Sequence, residues 1–115
     1  MNLFALVKAG TTLLGTDPVR FFEFGTAPAL EITPYATWQE IHGSPFNYIE
    51  DAPSTDHIKT QIDVWAPTAS ECRDVARAVR RAIDGQCTIT FFQNSWDEES
   101  RHYRTTLHAY YAQEI

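Results

Sequence analysis

Between Ile62 and Gly85 the chain reads IDVWAPTASECRDVARAVRRAIDG, a strand that stops at a proline and passes into a one-sided helix. Thr68 and Glu71 have the spacing of a capping box, in which the hydroxyl accepts from a first-turn amide and the carboxylate reaches back to the threonine N–H. Pro67 ends the strand just ahead of the cap, where it costs no helical hydrogen bond. Cys72, Val75, Ala76, Val79, Ala82 and Ile83 recur at i, i+3, i+4 and i+7, one apolar stripe of a helix over Ala69–Ile83. Gly85 stands just past that stripe, where a left-handed residue closes a helix. The other face carries Arg73, Arg77, Arg80 and Arg81 among Glu71, Asp74 and Asp84. A solvated face accounts for that pattern. So does a contact surface for an acidic neighbour, because arginine is enriched at interfaces.

The flanking segments say what the helix packs on. Asn2 caps a first helix that places Leu3, Leu6, Val7, Gly10, Leu13 and Leu14 on one side, and Gly15-Thr16-Asp17-Pro18 ends it. Val19–Phe24 is a short aromatic strand, Gly25–Pro34 a connecting loop, and Tyr35–Ser44 a second strand. Pro45–Asp56 has no clear period, and loops of that length tend to carry function. We expect it to order only against a partner. His57–Trp65 alternates, with Ile58, Thr60, Ile62 and Val64 on the covered side. Cys87–Gln93 is rich in β-branched and aromatic residues, Asn94–Ser100 is a polar turn, and Arg101–Ala112 is a long strand with Tyr103, Thr105, Leu107, Ala109 and Tyr111 on one face.

The order α-β-β-β-α-β-β predicts an α+β fold, a mainly antiparallel sheet of about five strands with both helices on one face. The second face is then wet or covered by another copy. Trp38, Trp65, Tyr110 and Phe92 are candidates for it, since aromatics not needed by the core mark interfaces. The 115 residues suffice for a single domain over residues 1–115, with one core and no need of metals or disulfides. Cys72 and Cys87 occupy apolar positions and read as small buried hydrophobes. No secretory leader is expected in MNLFALVKAGTTLLG, and no run approaches the ~20 apolar residues of a membrane helix. We therefore expect synthesis in a reducing cytoplasm and no membrane partner.

Constellations that carry chemistry are hard to find. His102 and His108 share a strand face but stand six residues apart, about 20 Å at ~3.3 Å per residue, too far to share an ion. Asp97, Glu98 and Glu99 sit in a polar turn with nothing to raise a carboxylate pKa. Ser44, Ser70 and Ser95 lack the setting of an activated nucleophile, and the glycines do not cradle a phosphate. The formal charge of -6 opposes bulk binding to a nucleic-acid backbone. We expect a protein without enzymatic activity, cofactor or metal.

Pro34-Tyr35-Ala36-Thr37-Trp38, the Gly43-Ser44-Pro45 exit, Thr60-Gln61-Ile62-Asp63-Val64-Trp65-Ala66, the Ala69–Ile83 helix and Tyr103-Arg104-Thr105-Thr106-Leu107 follow one another in an order that resembles the small tail-completion, or tail-terminator, proteins of long-tailed bacteriophages. The resemblance covers roughly residues 1–112. It implies an α+β subunit of the virion tail, made in the host cytoplasm, that forms a ring, typically a hexamer, on the head-proximal end of the tail tube. Such a ring ends tube polymerisation and joins the tail to the head connector. Its partners would be other copies, the major tail tube protein and the head-tail connector or stopper, with DNA passing through the lumen unspecifically.

A closed ring uses a head-to-tail contact. The expected interface residues are Arg73, Arg77, Arg80 and Arg81, the acids Glu50, Asp51, Asp56, Asp97, Glu98 and Glu99, and Trp38, Trp65 and Trp96. Two other readings stay open. One is a dimeric ligand- or peptide-binding module with a cavity lined by Phe21, Phe22, Trp38 and Tyr110. The other, weaker for want of a constellation, is a small hydrolase.

Overall fold

A computed structural model describes residues 2–16, 18–24, 32–43 and 55–114, and for 42–43, 55–57 and 112–114 the backbone alone. The elements are α1 (Leu3–Gly10), β1 (Phe21–Glu23), β2 (Tyr35–Gly43), β3 (Thr55–Ala66), α2 (Ala69–Ile83), β4 (Thr88–Asp97) and β5 (His102–Glu114). They form the expected α+β arrangement. The sheet has the order β1-β2-β3-β5-β4, antiparallel throughout except for the short parallel pair β1–β2.

α2 forms where its stripe and caps agree. Thr68 Oγ1 accepts from the Glu71 N–H at 3.2 Å. At the other end, Asp84 (φ -61°, ψ 139°) and Gly85 (φ 93°) turn the chain back, with the Gln86 N–H donating to the Ile83 carbonyl at 3.1 Å. That is a type II turn, whose third position needs positive φ and so favours glycine. Val79 and Ile83 are fully buried, each contributing about 1.5–3 kcal/mol by burial. Cys72 tucks its thiol against the sheet, 3.4 Å from the Val64 carbonyl and 3.2 Å from Thr105 Oγ1. Both cysteines are buried and neither is in a disulfide, and burial raises both thiol pKa values, that of Cys87 to about 11.

The first helix is shorter than its apolar pattern. Asn2 Oδ1 accepts from the Ala5 N–H at 3.0 Å, but α1 ends at Gly10 because Thr11 turns extended (φ -155°) and its hydroxyl takes the Leu13 N–H at 3.1 Å. Leu14 still reaches the core, whereas Leu13 is 47% exposed. Gly10 lies directly on α2: a Cβ there would come within 2.8 Å of the Ala82 Cα and overlap the Ala82 side chain.

The register assigns the two faces. Rows Ala36–Val64–Thr105, Trp38–Ile62–Leu107 and Glu40–Thr60–Ala109 lie on the helix side, where the core of Leu3, Val7, Phe21, Val75 and their neighbours sits. Two of the four aromatics expected on the second face are therefore on the covered one. Trp38 stacks on Phe21 at 6.3 Å and packs against the core, and Phe92 pairs with the buried Leu107. Trp65 and Tyr110 do lie on the helix-free side.

Strand lengths also depart from expectation. β3 begins at Thr55 and so takes in the end of the supposed Pro45–Asp56 loop. β4 begins one residue after Cys87 and continues through Asn94, Ser95 and Trp96, which stand opposite Thr105, Arg104 and Tyr103. An edge strand can be polar on both sides and still form its ladder, so composition made the Asn94–Ser100 stretch resemble a turn. The turn itself occupies only residues 98–101.

Candidate functional site

Seven residues advance an α-helix by almost two full turns, so Arg73 and Arg80 share one flank of α2, the flank above β4. The Arg80 guanidinium lies 5.8 Å from the centre of the Phe92 ring. Arg73 lines a cleft with Asn94, Ser95 and Tyr103 that encloses about 20 Å³, room for about one water molecule. Ala82, on the opposite flank, meets α1 at Gly10. Arg77 and Arg81 are exposed further round the helix. None of the four guanidiniums is within ion-pair distance of a carboxylate among the described residues.

At the far end of β4 the hairpin tip holds itself together. Trp96 meets Tyr103 edge-on at 4.8 Å, and its indole N–H donates to Glu98 Oε2 at 2.7 Å. Arg101 pairs with Glu98 at 3.4 Å and lies 5.9 Å from the Trp96 ring centre. Asp97 Oδ2 accepts from the Ser100 N–H at 3.0 Å, and the Ser100 side chain foremost, together with that N–H, lowers the Asp97 pKa. Arg101 adopts φ 58° to close the loop. Glu98 is thus largely engaged within its own hairpin, while Glu99 is exposed. Phe91, Phe92, Trp96 and Tyr103 are 36–43% exposed and make up half of the eight exposed large apolar side chains among the described residues.

The helix-free face has a polar centre that sequence reasoning missed. Asp63 is 8% exposed. It accepts from Thr106 Oγ1 at 2.6 Å and from Gln61 Nε2 at 2.9 Å, with Arg104 Nε 3.7 Å away. Arg104 in turn lies 5.3 Å from the centre of the Trp65 ring, which stacks on Tyr35 at 6.1 Å. The Trp65 indole N–H is buried without a hydrogen-bond partner among the described residues. His108 stacks on Phe91 at 4.6 Å, and burial together with the nearby Lys59 charge lowers its pKa, against a smaller opposing effect of Asp63. The signal for this cluster was present in the polar alternation of β3 and β5, but polar outward residues ordinarily mean only solvent.

The predicted interface residues therefore separate. Arg73, Arg80 and Trp96 gather along β4; Arg77, Arg81 and Glu99 face outward; Trp65 is on the helix-free face and Trp38 on the other. Glu50 and Asp51 lie outside the described residues, and Asp56 is placed only by its backbone, opposite Gln113. Phe21 and Trp38 are on one side of the sheet and Phe22, next to Tyr35 at 6.5 Å, and Tyr110 on the other. They cannot line one cavity, which removes the geometric basis of the dimeric binding module. No group of three or more His, Cys, Asp or Glu suited to a metal ion occurs among the described residues.

A search of curated proteins found no match. A family model does match: that of the tail completion protein gp17, over residues 2–111. With that match running from α1 into β5, the chain belongs to the phage tail-completion protein family.

Proposed function

We propose that this chain forms a ring, six copies being typical of the proteins it resembles, on the head-proximal end of the tail tube. The ring halts tube growth and presents the surface to which the head connector joins, with DNA passing through its lumen. The observation that carries this reading is the family match over residues 2–111. The exposed surface supports it: arginines on α2 without carboxylate partners among the described residues and a band of exposed aromatics along β4 suit contact with protein neighbours. Arg77 and Arg81, pointing away from the sheet, are assigned to acids of the tube subunit or of a neighbouring copy.

The test is an infection in which the chain is not made. It should yield filled heads and separate tails of irregular length, and purified chain added to the extract should restore joining. The Arg77→Glu/Arg81→Glu double variant should fold normally and restore joining poorly. Tails of normal length, joined to heads without the chain, would overturn the proposal.

A further inference from the structure

The two edges of the sheet are unlike and complementary. One is β4, ten residues long, joined only to β5 within the sheet. It is irregular between Ile89 and Phe91, but the stretch from Phe91 to Asp97 pairs without interruption. The other edge is stepped: β1 covers β2 only from Ala36 to Trp38, leaving the outer side of Gln39–Gly43 without a strand among the described residues. Exposed apolar residues gather at both edges. Phe91, Phe92, Trp96 and Tyr103 line the β4 end, while Phe24 (59% exposed) follows β1 and Ile32 (69%) precedes β2. Long edges with exposed apolar side chains are templates for pairing with another chain.

Charge and register point the same way. On the helix side of the sheet, the β4 edge is overhung by Arg73 and Arg80. On that same side, the opposite edge exposes Glu23 and Glu40. One unbroken row of paired residues runs Glu23–Trp38–Ile62–Leu107–Phe92 across the whole sheet. Phe92, with Arg80 above it, is therefore level with Glu23 at the far edge. Three antiparallel steps separate β2 from β4, so the two strands run in opposite directions. A copy rotated about an axis along the strands, without a shift along it, brings β4 antiparallel against the next copy's β1–β2 edge and keeps both helix layers on one side. In that placement Arg80 of one copy meets Glu23 of the next, with Glu40 one pleat away. A contact with no shift along the axis closes into a ring, whereas a stepped one winds into a filament.

We propose that copies of this chain join edge to edge, the β4 edge and the Arg73–Arg80 flank of one copy seated on the β1–β2 edge and the Glu23–Glu40 pair of the next. This rests on the ring reading above and specifies its contact. Each copy carries a net charge of -6, so the local attraction works against a general repulsion and weakens as salt screens it.

Cysteine pairs with a short bis-maleimide test the contact, applied both to purified chain and to assembled tails after Arg80→Cys/Glu23→Cys substitution. Ile89→Cys/Glu40→Cys, level with each other in the row Glu40–Thr60–Ala109–Ile89, provides a second, independent pair. The native thiols are buried, and linkage is scored against the unsubstituted chain. The expected result is a ladder of linked multimers up to the ring number that requires both cysteines and is lost with either alone. Rings or capped tails that stay unlinked with both pairs would overturn the contact while leaving the ring reading intact. Linked dimers from Arg80→Cys alone would replace it with a two-fold β4–β4 contact. A single copy per tail end would sink both the contact and the ring.

Discussion

Adding one methyl group at Gly10 sets two effects against each other. Alanine is the better helix former by up to about 1 kcal/mol, and less at the last helical position. Against that, the new Cβ would stand 2.8 Å from the Ala82 Cα, whereas carbon atoms settle at about 3.5–4.0 Å. α1 must retreat by about 1 Å, and a gap of that size forfeits a quarter to a half of the dispersion attraction across the seam. The buried Leu3 and Val7 are the side chains that lose it. Overpacking of this kind costs about 1–3 kcal/mol.

Gly10→Ala should therefore lower stability by about 1–2 kcal/mol after the propensity gain is set against it. At this chain length that is a fall in Tm of roughly 4–8 °C. Urea unfolding followed by tryptophan fluorescence measures it directly. Ala82→Gly on the same background should recover only part of the loss, since the Ala82 Cα remains in the way. Gly85→Ala serves as the control, because a Cβ there meets nothing within 4 Å and only the φ of 93° opposes it. Its cost of about 1–2 kcal/mol should be unmoved by Ala82→Gly. A Gly10→Ala protein as stable as the parent would refute the packing argument.

Removing the Asp63 carboxylate should cost about 2–3 kcal/mol in the same assay, because the buried Thr106 hydroxyl loses a hydrogen bond to a charged acceptor worth ~1.5–3 kcal/mol while the half-buried Gln61 amide can turn to water; Asp63→Asn should cost less, and an Asp63→Ala change within ~0.5 kcal/mol of zero would contradict the network. For His108, the NMR titration midpoint should fall below 6.5. The folded protein then favours the neutral ring, so this group's contribution is complete above that pH and is lost as pH falls through the lowered midpoint. Lys59→Met should move the midpoint up only part of the way, burial being the larger cause; a midpoint at or above 6.5 would count against the described environment.

The sequence showed most clearly what local chemistry enforces. Thr68, the apolar stripe and Gly85 all act within a few residues of themselves, so α2 was legible to its ends. β3 and β5 were legible because one side of each must be apolar where the helices cover it. β4 was not, since an edge strand exposed or half-buried along its whole length leaves helix-side positions such as Asn94 and Trp96 with no need to be aliphatic. The early end of α1 was hidden for a different reason: Leu14 is buried as though helical, but from a turn. The faces of Trp38 and Phe92 depended on register and, for Phe92, on the irregularity after Ile89. Neither periodicity nor composition encodes that bulge. The Arg73–Arg80 flank could be read from spacing, but its nearness to β4 could not, since that follows from which side of α2 receives α1.

β5 is the last strand in the chain order yet lies between β3 and β4 in space. Its pairing with β3 joins residues as distant in sequence as Thr55 and Glu114. During synthesis, β4 emerges with no ladder partner and must wait for the strand that will hold it. Its aromatic residues are bare until β5 follows and closes the local hairpin, and the docking of that hairpin on β3, a non-local closure, is slow. Crowding of nascent copies on one message is therefore most hazardous at this moment, when the strand that makes the finished subunit sociable has not yet been tethered to its own sheet.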